Sequence, residues 1–328
     1  MKVAVVGCGV MGAASAWALT RRGYEVTVFE QFETGHKRGS SHGSSRIYRY
    51  SYPEPQFVAM MSEALPLWHD LEREAGTKIL HQTGGLDAGK DLGAHASALT
   101  ANDIAFELID GEIAARRWPA LALSYEEVLF QAEGGVVHAD KAWDAFTRVA
   151  VDRGTRLLEG RRVDDLTPNG VADYDVTVVT AGGWAKELLA SAGIALAVTP
   201  TRETVAYFRT QQTFPTLVEW GDPAVYGLHD PVYGLKVGEH IAGLPTDPDE
   251  EGEVNLASVD RLKGWVAARF PGVDPDPVLV ETCIYTNTAD EHFVLERRGR
   301  VVVASACSGH GFKFAPLIGD RVADMVDA

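Results

Sequence analysis

The string Gly-Cys-Gly-Val-Met-Gly at residues 7–12 constrains this chain more than any other feature. Residues 2–6 are valine and alanine after one lysine, the pattern of a strand buried on both faces of a parallel sheet. Residues 13–22 carry Ala, Leu and Trp without Gly or Pro, which predicts a helix stopped near Gly23. Residues 24–29 read as a second strand ending at Glu30. In that setting the first glycine makes a tight turn, the second lets backbone N–H groups approach a pyrophosphate, and the third lets helix pack on strand. An acid about twenty residues further on accepts hydrogen bonds from a ribose diol. The segment therefore predicts a βαβ dinucleotide site formed by Gly7, Gly9, Val10, Met11, Gly12 and Glu30. The motif alone does not separate NAD from FAD.

At 328 residues with 46% apolar content, the chain can bury a core large enough for two domains or one large α/β body. A formal charge of -16 with no Lys/Arg run argues against nucleic acid or an anionic membrane surface as partner. The expected partner is a small solute. Any anionic group on it must be gripped by a few local cations, which draws attention to Arg46, Arg49, Lys236 and Lys313. The cysteines Cys8, Cys283 and Cys307 are odd in number and far apart, so they fit neither a disulfide framework nor a zinc site. His36, His42, His69, His81, His95 and His138 are not paired with Cys or acids in a ligand pattern, so no metal is expected. The apolar opening is broken by glycines at loop spacing and reads as mature structure rather than a leader. No other stretch approaches a membrane span, and the expected location is the reducing cytoplasm.

Further along, residues 31–45 are Gly, Ser, His and Thr, a long loop, and residues 55–75 carry Phe57, Met60, Met61, Leu65, Trp68 and Leu71 near helical spacing. Residues 77–133 give no firm assignment. Gly135-Val136-Val137 opens a new segment, followed by a helix over 140–153 and a strand over 156–158. Residues 175–180 form a buried-strand pattern that runs into Ala181-Gly182-Gly183-Trp184. Residues 197–281 alternate aromatic and polar positions, which suggests an antiparallel sheet in a second domain. Residues 301–304 repeat the buried-strand pattern before Ser308-Gly309-His310-Gly311-Phe312-Lys313, and a helix from Leu317 ends the chain. Three strand-to-glycine exits favour FAD, because an extended FAD touches several such segments.

These segments, with Gly39-Ser40-Ser41-His42-Gly43-Ser44-Ser45-Arg46-Ile47-Tyr48-Arg49, Tyr233-Gly234-Leu235-Lys236 and Cys283-Ile284-Tyr285-Thr286, carry a resemblance. The chain resembles the glycine/D-amino-acid oxidase superfamily of flavoproteins, within it the group of monomeric sarcosine, N-methyltryptophan and pipecolate oxidases. The resemblance implies an α/β protein: a Rossmann-type FAD-binding domain (GR2-like) of residues 1–80, 135–198 and 284–328, interleaved with an α+β substrate domain of residues 81–134 and 199–283 on a mixed or antiparallel sheet. It implies FAD bound through a thioether to Cys283, with His42 as a rival attachment point. Arg46 and Lys313 hold the substrate carboxylate. Arg49 and Tyr52 line the same region, with a flavin-side or a structural role left equally open for both. Lys236 serves the reaction with O2, and Tyr226, His240 and Tyr285 line the substrate pocket. Flavin contacts fall on Ser41, Val137, Ala181, Gly182, Trp184, Gly309, His310 and Gly311.

The activity implied is oxidation of the C–N bond of a small secondary-amine amino acid, with O2 reduced to hydrogen peroxide by a monomer. Sarcosine leads, while L-pipecolate, L-proline and N-methyl amino acids stay open, as does a dehydrogenase using another acceptor. Two departures matter: Thr286-Asn287-Thr288-Ala289-Asp290 lacks the proline that relatives have before Asp, and the loop between Tyr226 and Lys236 is compact.

Overall fold

The computed structural model describes residues 1–328. The opening motif folds into strand Lys2–Val6, helix Val10–Arg21 and strand Glu25–Phe29. The helix starts three residues earlier than its apolar pattern suggests, because the glycine loop turns straight into the first helical turn.

The first sheet has six strands in the order Val294–Arg298, Val301–Ser305, Val176–Val179, Lys2–Val6, Glu25–Phe29 and Arg156–Leu158. All neighbours pair parallel except the antiparallel edge Val294–Arg298. The chain leaves Lys2–Val6 in both directions across this sheet, so a crevice opens at the carboxyl ends of the central strands. The three glycine-rich exits after Val6, Val179 and Ser305 all meet there.

The second sheet is mixed and has nine strands. Thr199–Arg209 is its hub, pairing antiparallel with Gly234–Glu239, Leu244–Pro245 and Leu279–Asn287. It continues through Val225–Asp230, Thr216–Trp220, Gly85–Gly89, Glu127–Gln131 and Glu107–Asp110. A small sheet of Ser45–Tyr48, Gly135–His138 and Leu80–Gln82 lies between the two. Residues 77–133, unassigned from sequence, hold four strands of three to five residues and two helices of ten and seven. Elements that short carry no period. The expected domain boundaries at 80/81 and 283/284 both fall inside strands.

One core lies under helices Val10–Arg21, Pro55–Ala75, Ala139–Asp152 and Ala315–Asp327; a second backs the nine-stranded sheet beneath helix Leu256–Arg269. Trp68 is fully buried in the first, and its Nε1 donates to the Lys313 carbonyl at 2.8 Å. That bond ties helix Pro55–Ala75 to the segment carrying Lys313. No helix is long and apolar enough to cross a membrane.

Candidate active site

A cavity of about 800 Å³ runs from the glycine loop to the nine-stranded sheet. At its sheet-crevice end Gly7 sits at φ +98, and a Cβ there would lie 2.7 Å from the Thr180 carbonyl, so only glycine fits. Gly9 offers no side chain to cap helix Val10–Arg21; Ser41 Oγ accepts from Val10 N at 2.8 Å instead. Glu30 is buried, accepting from Cys8 N at 2.8 Å and Phe32 N at 3.0 Å. Each of its oxygens keeps a lone pair for a further donor. Ala181, Gly182 and Trp184 line the same end.

Two expected cofactor contacts are not on the wall. Gly12 is a packing glycine: its Cβ would stand 1.9 Å from the Gly7 carbonyl, the close approach of helix to loop. Val137 is fully buried in the core, where its strand pairs with Arg46 on one side and Leu80 on the other. It supports Arg46 and offers the cavity no side chain.

In the middle of the cavity Arg46, Lys236, Cys283 and His42 come together. The Arg46 guanidinium donates to the carbonyls of Ser45 at 2.8 Å, Ser40 at 2.7 Å and His42 at 2.6 Å, fastening the glycine- and serine-rich loop around itself. Lys236 is buried and donates to the Ser45 carbonyl at 3.2 Å. Burial, with Arg46 next, pushes its ammonium down to about 7. Burial pushes the Cys283 thiol up to about 11 against the pull of Arg46 and Lys236. His42 goes down to about 4 by burial and then Arg46, and both its ring nitrogens are buried without a partner. It is therefore neutral, with free polar atoms.

The far end holds Arg49, Tyr52, His310 and Lys313. Lys313 Nζ donates to Tyr52 Oη and to the His310 carbonyl, both at 2.8 Å. The Arg49 guanidinium lies 4.4 Å and Lys313 Nζ 5.4 Å from the centre of the Tyr52 ring. Burial and then Arg49 hold Lys313 well below its ordinary value. The expectation that Arg46 pairs with Lys313 is thus corrected. The cation facing Lys313 is Arg49, while Arg46 is turned back into its own loop.

Tyr226 and Tyr285 interact through their side chains, and burial raises both phenols, Tyr226 to about 12. His240 Nε2 lies 3.1 Å from Glu291 Oε2, and the His310 ring lies 3.2 Å from Tyr52 Oη through Nδ1 and 3.0 Å from the Glu291 carbonyl through Nε2. Gly309, at φ +72, passes so near that a Cβ would meet Tyr285 Cε2 at 2.3 Å and His240 Cε1 at 2.8 Å. Gly311 also lines this wall. Apart from Gly12, Val137 and Tyr52, every site residue expected from the sequence lines one cavity; Tyr52 stands behind the wall, holding Lys313 through its hydroxyl.

Four neighbours of the site were not legible as such. Lys236 Nζ lies 5.4 Å from the centre of the Tyr207 ring, and Glu281 stands near Lys236 and His42 and pairs with the exposed Lys37. Asp87 and Trp220 stand beside Arg49. The one signal for Asp87 is an acid between Leu86 and Ala88 in a short apolar run.

The residues fit FAD on their own terms. A turn closed to any Cβ, a helix start whose N-cap glycine brings no side chain of its own, a buried acid with free lone pairs and an unpartnered buried imidazole all front one cavity. Fold and site together define an FAD-dependent oxidoreductase. The family described as DAO, FAD dependent oxidoreductase, matches residues 2–325, and the chain belongs to it. The human peroxisomal sarcosine oxidase is 32% identical over 347 residues, covering 96% of this chain and 89% of that one. Monomeric sarcosine oxidase of Bacillus sp. (strain B-0618) is 29% identical over 357 residues, covering 98% and 91%. Among solved structures, NikD, an unusual amino acid oxidase essential for nikkomycin biosynthesis, superposes with TM-score 0.89 at 26% identity, covering 99% of this chain and 94% of that one.

Proposed function

We propose that this FAD-dependent oxidoreductase is an oxidase of a small amino acid bearing a secondary amine, with sarcosine as the leading substrate. The observation that carries the reading is the pairing of Arg49 with Lys313 around Tyr52 at one end of the cavity, with Lys236, Arg46 and Cys283 in its middle. Similarity to sarcosine oxidases supports the substrate class.

Bound FAD supplies a two-electron acceptor for the hydride equivalent leaving the carbon next to the amine nitrogen, and O2 then takes those electrons to become hydrogen peroxide. The chain's own work is to bind and orient. Arg49 and Lys313 grip the carboxylate, Arg49 with a planar fork and Lys313 with a point charge. The guanidiniums of Arg46 and Arg49, joined by Lys236 and Lys313 when these carry their protons, disfavour a protonated amine, so the substrate is held in the neutral form that can be oxidised. Tyr226, Tyr285 and His240 form the wall facing the amine. Lys236, next to Arg46, presents positive charge where oxygen becomes anionic. Water then hydrolyses the imine to an aldehyde and an amine.

We assign the flavin a thioether to Cys283. Its formation replaces Sγ–H and one methyl C–H of the flavin by an S–C bond, with the two electrons and two protons passing finally to O2. What supports the assignment is a buried thiol flanked by two cations that favour its thiolate. His42, held neutral, is the hydrogen-bonding neighbour. We divide the chain into a flavin half on the six-stranded sheet and a substrate half on the nine-stranded sheet. The chain is read as a cytoplasmic monomer, consistent with a site built from one chain and three unpaired cysteines.

A peroxide-coupled screen over sarcosine, L-proline, L-pipecolate and other N-methyl amino acids tests the reading. Peroxide from sarcosine or a close N-methyl analogue is expected; no peroxide from any of them contradicts it.

A further inference from the structure

Asp87 is 3% exposed, on strand Gly85–Gly89 between Leu86 and Ala88, whose side chains pack in the core behind the nine-stranded sheet. Strand alternation turns Asp87 to the opposite face. A carboxylate buried that deeply is unfavourable unless donors and a cation meet it. Asp87 Oδ1 accepts from Trp220 Nε1 at 2.9 Å, and the same oxygen faces Arg49 Nη1 at 3.7 Å. Trp220 reaches it because Thr216–Trp220 runs parallel beside Gly85–Gly89, with Val218 opposite Asp87.

The consequence falls on Arg49. Its guanidinium lies 4.4 Å from the centre of the Tyr52 ring and 4.9 Å from that of Trp220, so aromatic rings restrain it. Its Nη1 donates to the Ser51 carbonyl and stands within ion-pair range of Asp87. Nε and Nη2, the edge that forms a two-pronged contact with a carboxylate, make no hydrogen bond within the chain.

We infer that Asp87 and Trp220 are positioning residues: Asp87 tethers both the Trp220 indole and the inner end of Arg49, setting the free edge of Arg49 for the substrate carboxylate. The inference rests on the carboxylate clamp proposed above. Asp87 also balances one of the charges that Arg49 and Lys313 bring into a buried space. Trp220 lines the cavity, so the tether fixes one wall of the substrate pocket as well.

The flavin-loaded protein is titrated with acetate, followed by the change in flavin absorbance, and assayed with sarcosine for kcat and KM. Asp87→Asn keeps an acceptor for the indole and removes the charge; Trp220→Phe keeps a ring and removes the donor. For Asp87→Asn the acetate Kd and the sarcosine KM are expected to rise at least about tenfold, with kcat falling no more than about threefold. Trp220→Phe is expected to show the same split at about threefold. An acid with a merely structural role would lower Tm and flavin content while leaving the acetate Kd of the folded flavoprotein unchanged, and that result overturns the inference. Wild-type protein that binds no acetate and oxidises no secondary amino acid overturns the clamp reading beneath it. Should Asp87→Asn not accumulate as flavoprotein, Trp220→Phe decides, since an unchanged Kd there overturns the inference equally.

Discussion

Lys236 and Arg46 converge on Gly43: a Cβ there would lie 3.6 Å from Lys236 Nζ and 3.4 Å from Arg46 Nη1. Two cationic groups share a buried wall, and only one is an arginine that keeps its proton at any working pH. The other is Lys236, held near 7 by burial and Arg46, against the raising pull of Cys283, Asp230 and Glu281. The pair makes Lys236 the adjustable charge of the site.

The charged form of Lys236 is the one that stabilises reduced oxygen, so flavin reoxidation slows as pH rises through about 7. Lys236→Met removes the charge at every pH and is expected to slow reoxidation by about 10²-fold or more, with a much smaller effect on reduction by substrate. Stopped-flow measurement of the two half-reactions separates these effects. Equal losses in both would remove Lys236 from the oxygen step.

The same depression has a stability consequence in flavin-free protein. Unfolded, Lys236 keeps its proton up to about 10.5; folded, it releases it near 7. Between those values the unfolded state binds more protons, so this group's contribution makes stability rise with pH. Lys236→Met is therefore expected to raise Tm most at about pH 6, with the gain shrinking toward about pH 10. A gain that grows with pH would contradict the burial of a costly charge.

Arg49→Lys retains a cation but loses the fork, and is expected to raise KM for the amino acid by about tenfold to a hundredfold while flavin stays bound. Arg46→Lys, which loosens the loop of residues 39–46, is expected to act mainly on flavin retention. Steady-state kinetics with flavin content measured on both proteins checks the split. A large KM effect from Arg46 alone would restore the assignment that the structure corrected.

That correction shows where sequence legibility stops. Glycine spacing and buried-strand patterns are local, so strand Lys2–Val6, helix Pro55–Ala75 and the turn at Gly7 could be read directly. Arg46 and Arg49 are three residues apart on the same short strand region, and pattern alone cannot say which guanidinium returns to its own loop. The hydrogen bonds of Arg46 to Ser40 and His42 decide it. Asp87 and Trp220 stayed hidden because their partnership spans 133 residues and two neighbouring strands. The short elements of residues 77–133 take their register from the sheet, which no local period reports.

Gly12→Ala would drive a methyl to 1.9 Å from the Gly7 carbonyl, a backbone atom that cannot give way. The expected loss is about 2–4 kcal/mol, with little flavoprotein recovered. Gly9→Ala meets only Ser41 Oγ at 3.1 Å and is expected to fold. Thermal melts of both variants test the contrast, and comparable Tm values would contradict it.

For Cys283, acid precipitation of wild-type protein is expected to leave the yellow colour in the pellet, and Cys283→Ser is expected to release it. Because burial holds the thiol near 11, attachment of FAD to flavin-free protein should quicken as pH rises from about 7 to about 9, where thiolate becomes more abundant. Colour released from the wild type would remove the thioether.

The most direct test of the central claim is to mix the flavoprotein with sarcosine in the absence of oxygen and follow the flavin absorbance. Bleaching to the two-electron reduced form, with full colour and one equivalent of hydrogen peroxide returning when air is admitted, is the predicted result. A flavin that stays oxidised with sarcosine and with every other N-methyl or cyclic secondary amino acid would contradict it.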